Sequence, residues 1–227
     1  MKDKKRIDDA CGTAHALELV GERWALLVMR ELMLGPRRFG ELRADLPGIS
    51  ANVLTQRLEE LEARGILIRR KLPPPASVQV YELTQWGYEA EPIIQVMGRW
   101  ATRSPLHDPT RQISGVSVLL SFRTMLDRSR IGDLDVSIGF RFGEDRYLGR
   151  LDANGFAVGR GDPDGADIRI TGSPHALAGA VYGGVPLPAL EDAGVLTVRG
   201  DVAKVARFLT LFPLPEKAPP PPMCLTD

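Results

Sequence analysis

The segment from residue 39 to residue 81 constrains the fold of this chain more than any other feature. Its sequence predicts a short helix, a turn at Pro47 and Gly48, and a longer helix that begins after Ser50. Ser50 suits the start of that helix, since its hydroxyl can accept a backbone N–H that the first turn leaves unpaired. A β-hairpin with a basic first strand follows. The order is typical of a winged helix-turn-helix.

The longer helix has two distinct sides. Leu54, Leu58 and Leu61 recur at i, i+4 and i+7, which predicts one side packed on a core. Asn52 and Gln56 lie one turn apart on the opposite side, and such amides form paired hydrogen bonds with adenine in the major groove. Acidic residues follow at 59, 60 and 62, so only the first half of the helix suits a polyanion. We therefore predict that this first half enters a DNA groove.

Cations flank the predicted recognition helix. Residues 36–71 hold eight Lys or Arg against five Asp or Glu, in a chain of 227 residues with no net charge. Cations at the hairpin base would contact the DNA backbone without reading sequence. The alternative to DNA binding is that the two helices form an ordinary packed corner and that the arginines are only solvated. The predicted DNA-contacting residues are Arg37, Arg38, Ser50, Asn52, Thr55, Gln56, Arg57, Arg69, Arg70 and Lys71.

The first hundred residues resemble the HxlR family of winged-helix transcriptional regulators. The matching pieces occur in collinear order: Cys11 and residues 21–24, 30–32, 35–39, 46–50, 54–58, 61–62 and 81–84. The resemblance implies a cytoplasmic homodimer that regulates transcription in response to small molecules or redox changes, and that binds double-stranded DNA at a two-fold operator.

A helix predicted from Thr84 to about Trp100 supplies a candidate dimer surface. Trp86, Ala90, Ile93, Met97 and Trp100 form an apolar stripe on it, and Pro92 should bend or break one turn. With Leu17, Leu19 and Val20 of the first helix this stripe could join two subunits. Packing on its own domain is the alternative.

The second half of the chain predicts a separate domain. We expect a winged-helix domain at 1–103, a linker at 104–114, an α+β domain at 115–213 and a disordered Pro-rich tail at 214–227. In the α+β domain, helices should cover a mostly antiparallel sheet. The α+β part resembles the sterol-carrier-protein-type lipid-binding domain on residues 164–170, 173–184 and 194–201. That resemblance implies a small apolar effector. The residues that could line its site are Leu119, Phe122, Phe140, Val181, Tyr182 and Leu187, and the alternative for each is that it belongs to the ordinary core.

Other chemistry is sparsely supported. Cys11 precedes the first helix, where the helix dipole favours a thiolate. It could be a redox sensor or a small buried interface residue. The sequence shows no metal-ligand spacing, no cofactor motif and no nucleophile–base pair, so we expect no metal, no cofactor and no enzymatic activity. A lipid carrier with a structural helical half stays open. The first residues have no apolar run, which predicts a cytoplasmic protein without a membrane span.

Overall fold

The computed structural model describes residues 7–219, which divide into two compact units between Ile94 and Gln95. The overall class is α+β, as the sequence predicts, and the domain boundaries at 103, 114 and 213 stay predictions. Cys224 and most of the predicted tail lie outside the described residues. None of the helices between residues 7 and 219 is long and apolar enough to cross a membrane.

The first unit is a set of helices followed by a two-stranded hairpin. Its elements are α1 (Gly12–Val20), α2 (Ala25–Leu32), α3 (Phe39–Asp45), α4 (Ala51–Ala63), β1 (Leu67–Lys71), β2 (Gln79–Leu83) and α5 (Gln85–Tyr88). The core lies between α2 and α4, where Val28, Leu32, Leu54 and Leu58 are almost completely buried. The helix, turn, helix and hairpin are thus confirmed in their predicted order.

The predicted helix from Thr84 to Trp100 is divided in two. Thr84 caps α5, since its hydroxyl accepts the Gly87 amide at 3.1 Å, and α6 (Glu91–Thr102) starts after a two-residue break. Pro92 lies in the first turn of α6, where the ring replaces an amide that has no helical partner. The proline therefore ends one helix and starts another. None of the twelve residues of α6 is buried.

The second unit is a five-stranded sheet with helices. Its elements are α7 (Gly115–Met125), β3 (Val136–Phe142), β4 (Asp145–Asp152), β5 (Gly155–Arg160), β6 (Ile168–Gly172), α8 (Pro174–Tyr182), α9 (Leu187–Asp192), β7 (Leu196–Arg199) and α10 (Val202–Leu209). The strand order is β5-β4-β3-β6-β7, in which only β3 and β6 are parallel. This confirms the predicted mostly antiparallel sheet.

An aromatic cluster fills the core of the second unit. Phe122 of α7 stacks on Phe212 with ring centroids 4.5 Å apart, and it meets Phe208 edge-on at 5.7 Å. The sheet supplies Phe140 and Phe156, at 6.5 and 6.3 Å from Phe122. Tilted and edge-on rings at these distances are the favoured arrangements of aromatic side chains. The cluster therefore joins α7, the chain after α10 and the sheet.

One glycine is required by the packing of this sheet. A Cβ atom on Gly149 of β4 would lie 2.7 Å from Cε2 of Phe156 on β5. Such a contact is far inside the normal separation of two carbon atoms, which is about 3.5–4.0 Å. The Phe156 ring therefore occupies the space that a side chain at position 149 would need.

We predict that Phe122→Ala destabilises the second unit by about 3–5 kcal/mol, because it empties the centre of the aromatic cluster. Hydrogen exchange of the β3 amides measures this, since it reports opening of the second unit alone. Val202→Ala is the matched control: Val202 is 83% exposed, so its loss should cost less than about 0.5 kcal/mol. Equal protection of the β3 amides from hydrogen exchange in the two variants would contradict the central position of Phe122.

Candidate nucleic-acid interface

The turn between α3 and α4 presents the start of α4. Gly48 adopts φ +90°, which L side chains rarely adopt, and the chain then reverses into α4. The Ser50 hydroxyl accepts the Val53 amide at 3.2 Å, as its predicted capping role requires. Leu54, Leu58 and Leu61 are buried. The apolar side of α4 is thereby fixed against the core, and its other side faces solvent.

The exposed side of α4 carries the predicted polar residues. Ser50, Asn52, Thr55 and Gln56 are all exposed. The Gln56 side chain donates from Nε2 to Oε1 of Glu60 at 3.1 Å. Within residues 7–219 the Asn52 side chain has no comparable partner. The first half of α4 is therefore an open hydrogen-bonding surface with one ordered amide and one unrestrained amide.

The hairpin brings the predicted wing cations to one end of the unit. β1 and β2 are antiparallel, with Arg70 opposite Val80 and Lys71 opposite Gln79. Arg70 forms an ion pair with Glu82, and this contact raises the pKa of its guanidinium further, so Arg70 stays charged. A shallow open depression at the hairpin tip is lined by Arg69, Arg70, Lys71, Ser77 and Gln79. Such a polar depression with three cations suits a phosphate group.

Two predicted DNA contacts require correction. Arg37 is only 2% exposed: its guanidinium is paired with Asp45 and lies 3.6 Å from Glu41. Arg57 is 6% exposed, and its NH1 lies 2.5 Å from Glu60. Both guanidinium groups are buried and neutralised by carboxylates, so neither is presented to a phosphate. The i,i+4 and i,i+3 spacings of Glu41 and Glu60 make the ion pairs foreseeable, but the burial of the two guanidinium groups depends on tertiary packing.

Arg38 is exposed beside Arg37, and its Nε lies 3.8 Å from Glu41. One further exposed cation is absent from the predicted contacts: Arg43 lies on α3 next to buried Leu42. Its position beside a core leucine was the available signal, because the burial of Leu42 and Leu46 turns residue 43 to solvent. Arg38 and Arg43 extend the basic surface from the wing to α3.

The predicted effector-lining residues fall into two groups. Leu119, Phe122 and Phe140 have no exposed surface, and Phe122 and Phe140 belong to the aromatic cluster. They fill the core, which is the alternative that the sequence left open. Val181, Tyr182 and Leu187 are half-buried on α8 and α9. The Tyr182 hydroxyl lies 2.7 Å from that of Ser121, and burial raises the pKa of the tyrosine.

Cys11 is exposed at the N-cap position of α1 in the single chain, and its burial at a dimer interface stays a prediction. Hydrogen bonds lower the pKa of its thiol: the backbone amide of Thr13 contributes most, then that of Ala14, then the Thr13 hydroxyl. These donors stabilise the thiolate at the start of the helix. An exposed thiol with these donors is suited to react with electrophiles.

Comparisons with known proteins concern the first unit and the start of the second. The family model described as HxlR-like helix-turn-helix matches residues 19–107. The uncharacterized HTH-type transcriptional regulator YvaP of Bacillus subtilis is 38% identical over 88 residues, which cover 38% of this chain and 81% of YvaP. The HTH-type transcriptional regulator YodB of B. subtilis is 40% identical over 86 residues, 38% of this chain and 77% of YodB.

A crystal structure of quinone-bound YodB from B. subtilis is 36% identical, covers 39% of this chain and 93% of that chain, and has a TM-score of 0.35. The β3–β7 sheet of the second unit lies beyond the residues that the family model matches.

We predict that Lys71→Ala weakens binding to all duplex DNA about equally and lowers the slope of log affinity against log salt by about 0.9, the value for one phosphate contact. Lys71 is the sharpest choice, because it is exposed and no carboxylate within the described chain pairs with it. Fluorescence anisotropy with labelled random duplex at several salt concentrations measures the slope. Lys204→Ala on α10 is the control and should leave the slope unchanged; identical slopes for all three proteins would contradict a wing contact.

Proposed function

The chain belongs to the HxlR-like helix-turn-helix family, and on this premise we propose that it regulates transcription by binding a two-fold DNA operator as a homodimer. One observation carries the proposal: α4 exposes Asn52 and Gln56 on its first half, beside a hairpin with three cations. Amides read base edges and cations hold phosphates. The anisotropy measurement with Lys71→Ala at several salt concentrations tests DNA binding. A wild-type protein without affinity for duplex DNA at low salt would refute the proposal.

A two-fold complex is proposed because one recognition helix contacts few base pairs. Each good paired contact contributes about 1–3 kcal/mol of discrimination. A second α4 in the next turn of the major groove therefore doubles the number of base pairs that the protein recognises. The surface for such pairing is α6. Its Ile93, Val96 and Trp100 are 58%, 70% and 71% exposed. Apolar side chains on one helix at this exposure are typical of a protein interface.

We predict that Ile93→Glu combined with Met97→Glu converts the dimer to a monomer, because each buried apolar side chain stabilises the interface by about 1.5–3 kcal/mol and a buried carboxylate opposes it. Native mass spectrometry reads the subunit number directly. Val202→Glu places the same charge on another exposed apolar residue, on α10, and should stay dimeric. A wild-type monomer at micromolar concentration, or a dimer that survives the double change, would exclude α6 as the interface.

A thiol-based response is the second candidate, and the geometry of Cys11 favours it. The thiol is exposed at the start of α1, and the neighbouring Thr13 and Ala14 amides lower its pKa. Oxidation or alkylation there would alter the start of α1, which also carries the exposed Leu17. We propose that such a change alters the spacing of the two recognition helices, because two states that differ in operator affinity are what a switch requires.

We predict that alkylation of Cys11 by iodoacetamide has its half-maximal rate at a pH below that of an ordinary cysteine, because only the thiolate reacts and the lowered pKa keeps it deprotonated at lower pH. The measurement uses a Cys224→Ser background, so that Cys11 alone is followed by mass spectrometry. Thr13→Ala removes one of the three donors and should move the midpoint upward while it stays below the ordinary value. A wild-type midpoint at the ordinary value would remove the case for a reactive thiol.

An apolar effector in the second unit remains part of the proposal in a narrower form. The half-buried Val181, Tyr182 and Leu187 on α8 and α9 are the residues that could contact it, since the other three predicted lining residues are packed in the core. The likeness to sterol-carrier-type domains is likewise a proposal. Native mass spectrometry of the purified protein would show a bound hydrophobic compound as an added mass.

A further inference from the structure

We infer that Glu60 is a positioning residue that fixes the Gln56 amide in the orientation needed to recognise adenine. The inference rests on the proposed function, because it concerns the same surface of α4. Glu60 was predicted only as part of an acidic stretch that DNA would avoid. In the structure its carboxylate instead accepts hydrogen bonds from two side chains of α4 and forms a longer ion pair with Arg64 at the end of the helix.

The contacts of Glu60 divide between its two oxygens. Oε1 accepts a hydrogen bond from Gln56 Nε2 at 3.1 Å. Oε2 accepts one from Arg57 NH1 at 2.5 Å and lies 3.8 Å from Arg64 NH1. The i,i+3 and i,i+4 spacings place all three partners on neighbouring turns of the helix. Oε1 therefore binds the base-reading side chain of Gln56, whereas Oε2 is bound by the two arginines.

The cationic side of this cluster is anchored to other parts of the first unit. Arg57 is buried, and its NH1 also lies 3.4 Å from Glu22 Oε2, in the segment between α1 and α2. Arg64 NH1 donates to the Leu19 carbonyl of α1 at 2.7 Å. With both arginines fixed, the Glu60 carboxylate has one position, and Gln56 is ordered by it. A charge-assisted pair of this kind is stronger than a contact between neutral groups.

The consequence for base recognition follows from hydrogen-bond geometry. A glutamine amide reads adenine with one carbonyl oxygen, which accepts from N6–H, and one N–H, which donates to N7. Gln56 has two N–H bonds, and Glu60 occupies one. The carbonyl and the second N–H remain, which is the adenine pattern. A flipped amide would set its carbonyl oxygen against a carboxylate oxygen, so Glu60 disfavours that state.

Asn52 is the internal comparison. It lies one turn earlier on the same exposed side, and no carboxylate holds its amide within the part of the chain that is described. Asn52 must therefore be ordered when DNA binds, whereas Gln56 is ordered beforehand. Ordering one such side chain at an interface opposes binding by an amount equivalent to about a two- to tenfold change in affinity. The two amides should accordingly respond differently to the removal of Glu60.

The test compares Glu60→Gln with Glu59→Gln in the full-length protein. Both substitutions remove one negative charge from α4, but the Glu59 carboxylate is exposed and makes no hydrogen bond or ion pair among residues 7–219. A glutamine at position 60 can donate as well as accept, so it no longer selects one Gln56 orientation. Binding sites are selected from a random-sequence duplex library, and Gln56→Ala and Asn52→Ala identify the base pair that each amide reads.

We predict that Glu60→Gln lowers the adenine preference at the Gln56 position by about two- to tenfold, while the preference at the Asn52 position and the Glu59→Gln profile stay as in the wild type. An unchanged preference at the Gln56 position would overturn the inference. So would an equal loss at every position, which indicates a structural role for Glu60. Wild-type protein that selects no sequence would refute the proposed function itself, which is a distinguishable result.

A measurement on the wild-type protein covers the case in which Glu60→Gln does not fold. Relaxation of the side-chain amide ¹⁵N nuclei by NMR reports the order of Gln56 and Asn52 without any substitution on α4. We expect a more ordered Gln56 amide. Equal mobility of the two amides in the free protein would show that Glu60 does not position Gln56, and would overturn the inference independently of DNA.

Discussion

A buried arginine holds the two parts of the DNA-binding surface together. The backbone of Arg37 exchanges two hydrogen bonds with Tyr81 of β2, at 2.9 and 2.8 Å, while its guanidinium pairs with Asp45 at the end of α3. The helix-turn-helix and the wing are thereby joined at one residue. Loss of one partner from a buried pair of charges commonly costs about 3–5 kcal/mol. This contact therefore fixes α3 against β2 of the wing, beside the helix-turn-helix.

The cationic side chains of the first unit fall into two groups. Arg37 and Arg57 are buried and neutralised within the fold, whereas a second set of cations is exposed or partly exposed: Arg38, Arg43, Arg69, Arg70 and Lys71. Only the exposed set can displace counterions from DNA. A zero net charge for the whole chain is therefore compatible with a basic surface on one unit. The acidic residues of α4 are also divided, because Glu60 is an internal acceptor while Glu59 is solvated.

The sequence alone predicts those features of the fold that depend on residues close together along the chain. Leucine spacing, the Ser50 cap and the order of helix, turn and hairpin predict the fold of the first unit. Glu41 and Glu60 lie at helical spacing from Arg37 and Arg57, but the contacts with Asp45 and Glu22 and the burial of both guanidinium groups depend on tertiary packing. The helix α9 was missed, because Leu187–Asp192 is only six residues long and two prolines fall at positions 186 and 188. Core and pocket residues of the second unit have the same apolar alternation, so the sequence cannot separate them.

The close contact between Gly149 and the Phe156 ring has an evolutionary consequence. Any side chain at position 149 would collide with that ring, so a larger residue there must be accompanied by a smaller one at 156. Orthologues of the second unit should therefore show these two positions covarying in volume, with glycine at 149 wherever residue 156 is a large aromatic. Because the sheet lies beyond the residues that the family model matches, this paired constraint offers a marker by which distant homologues of the unit can be recognised.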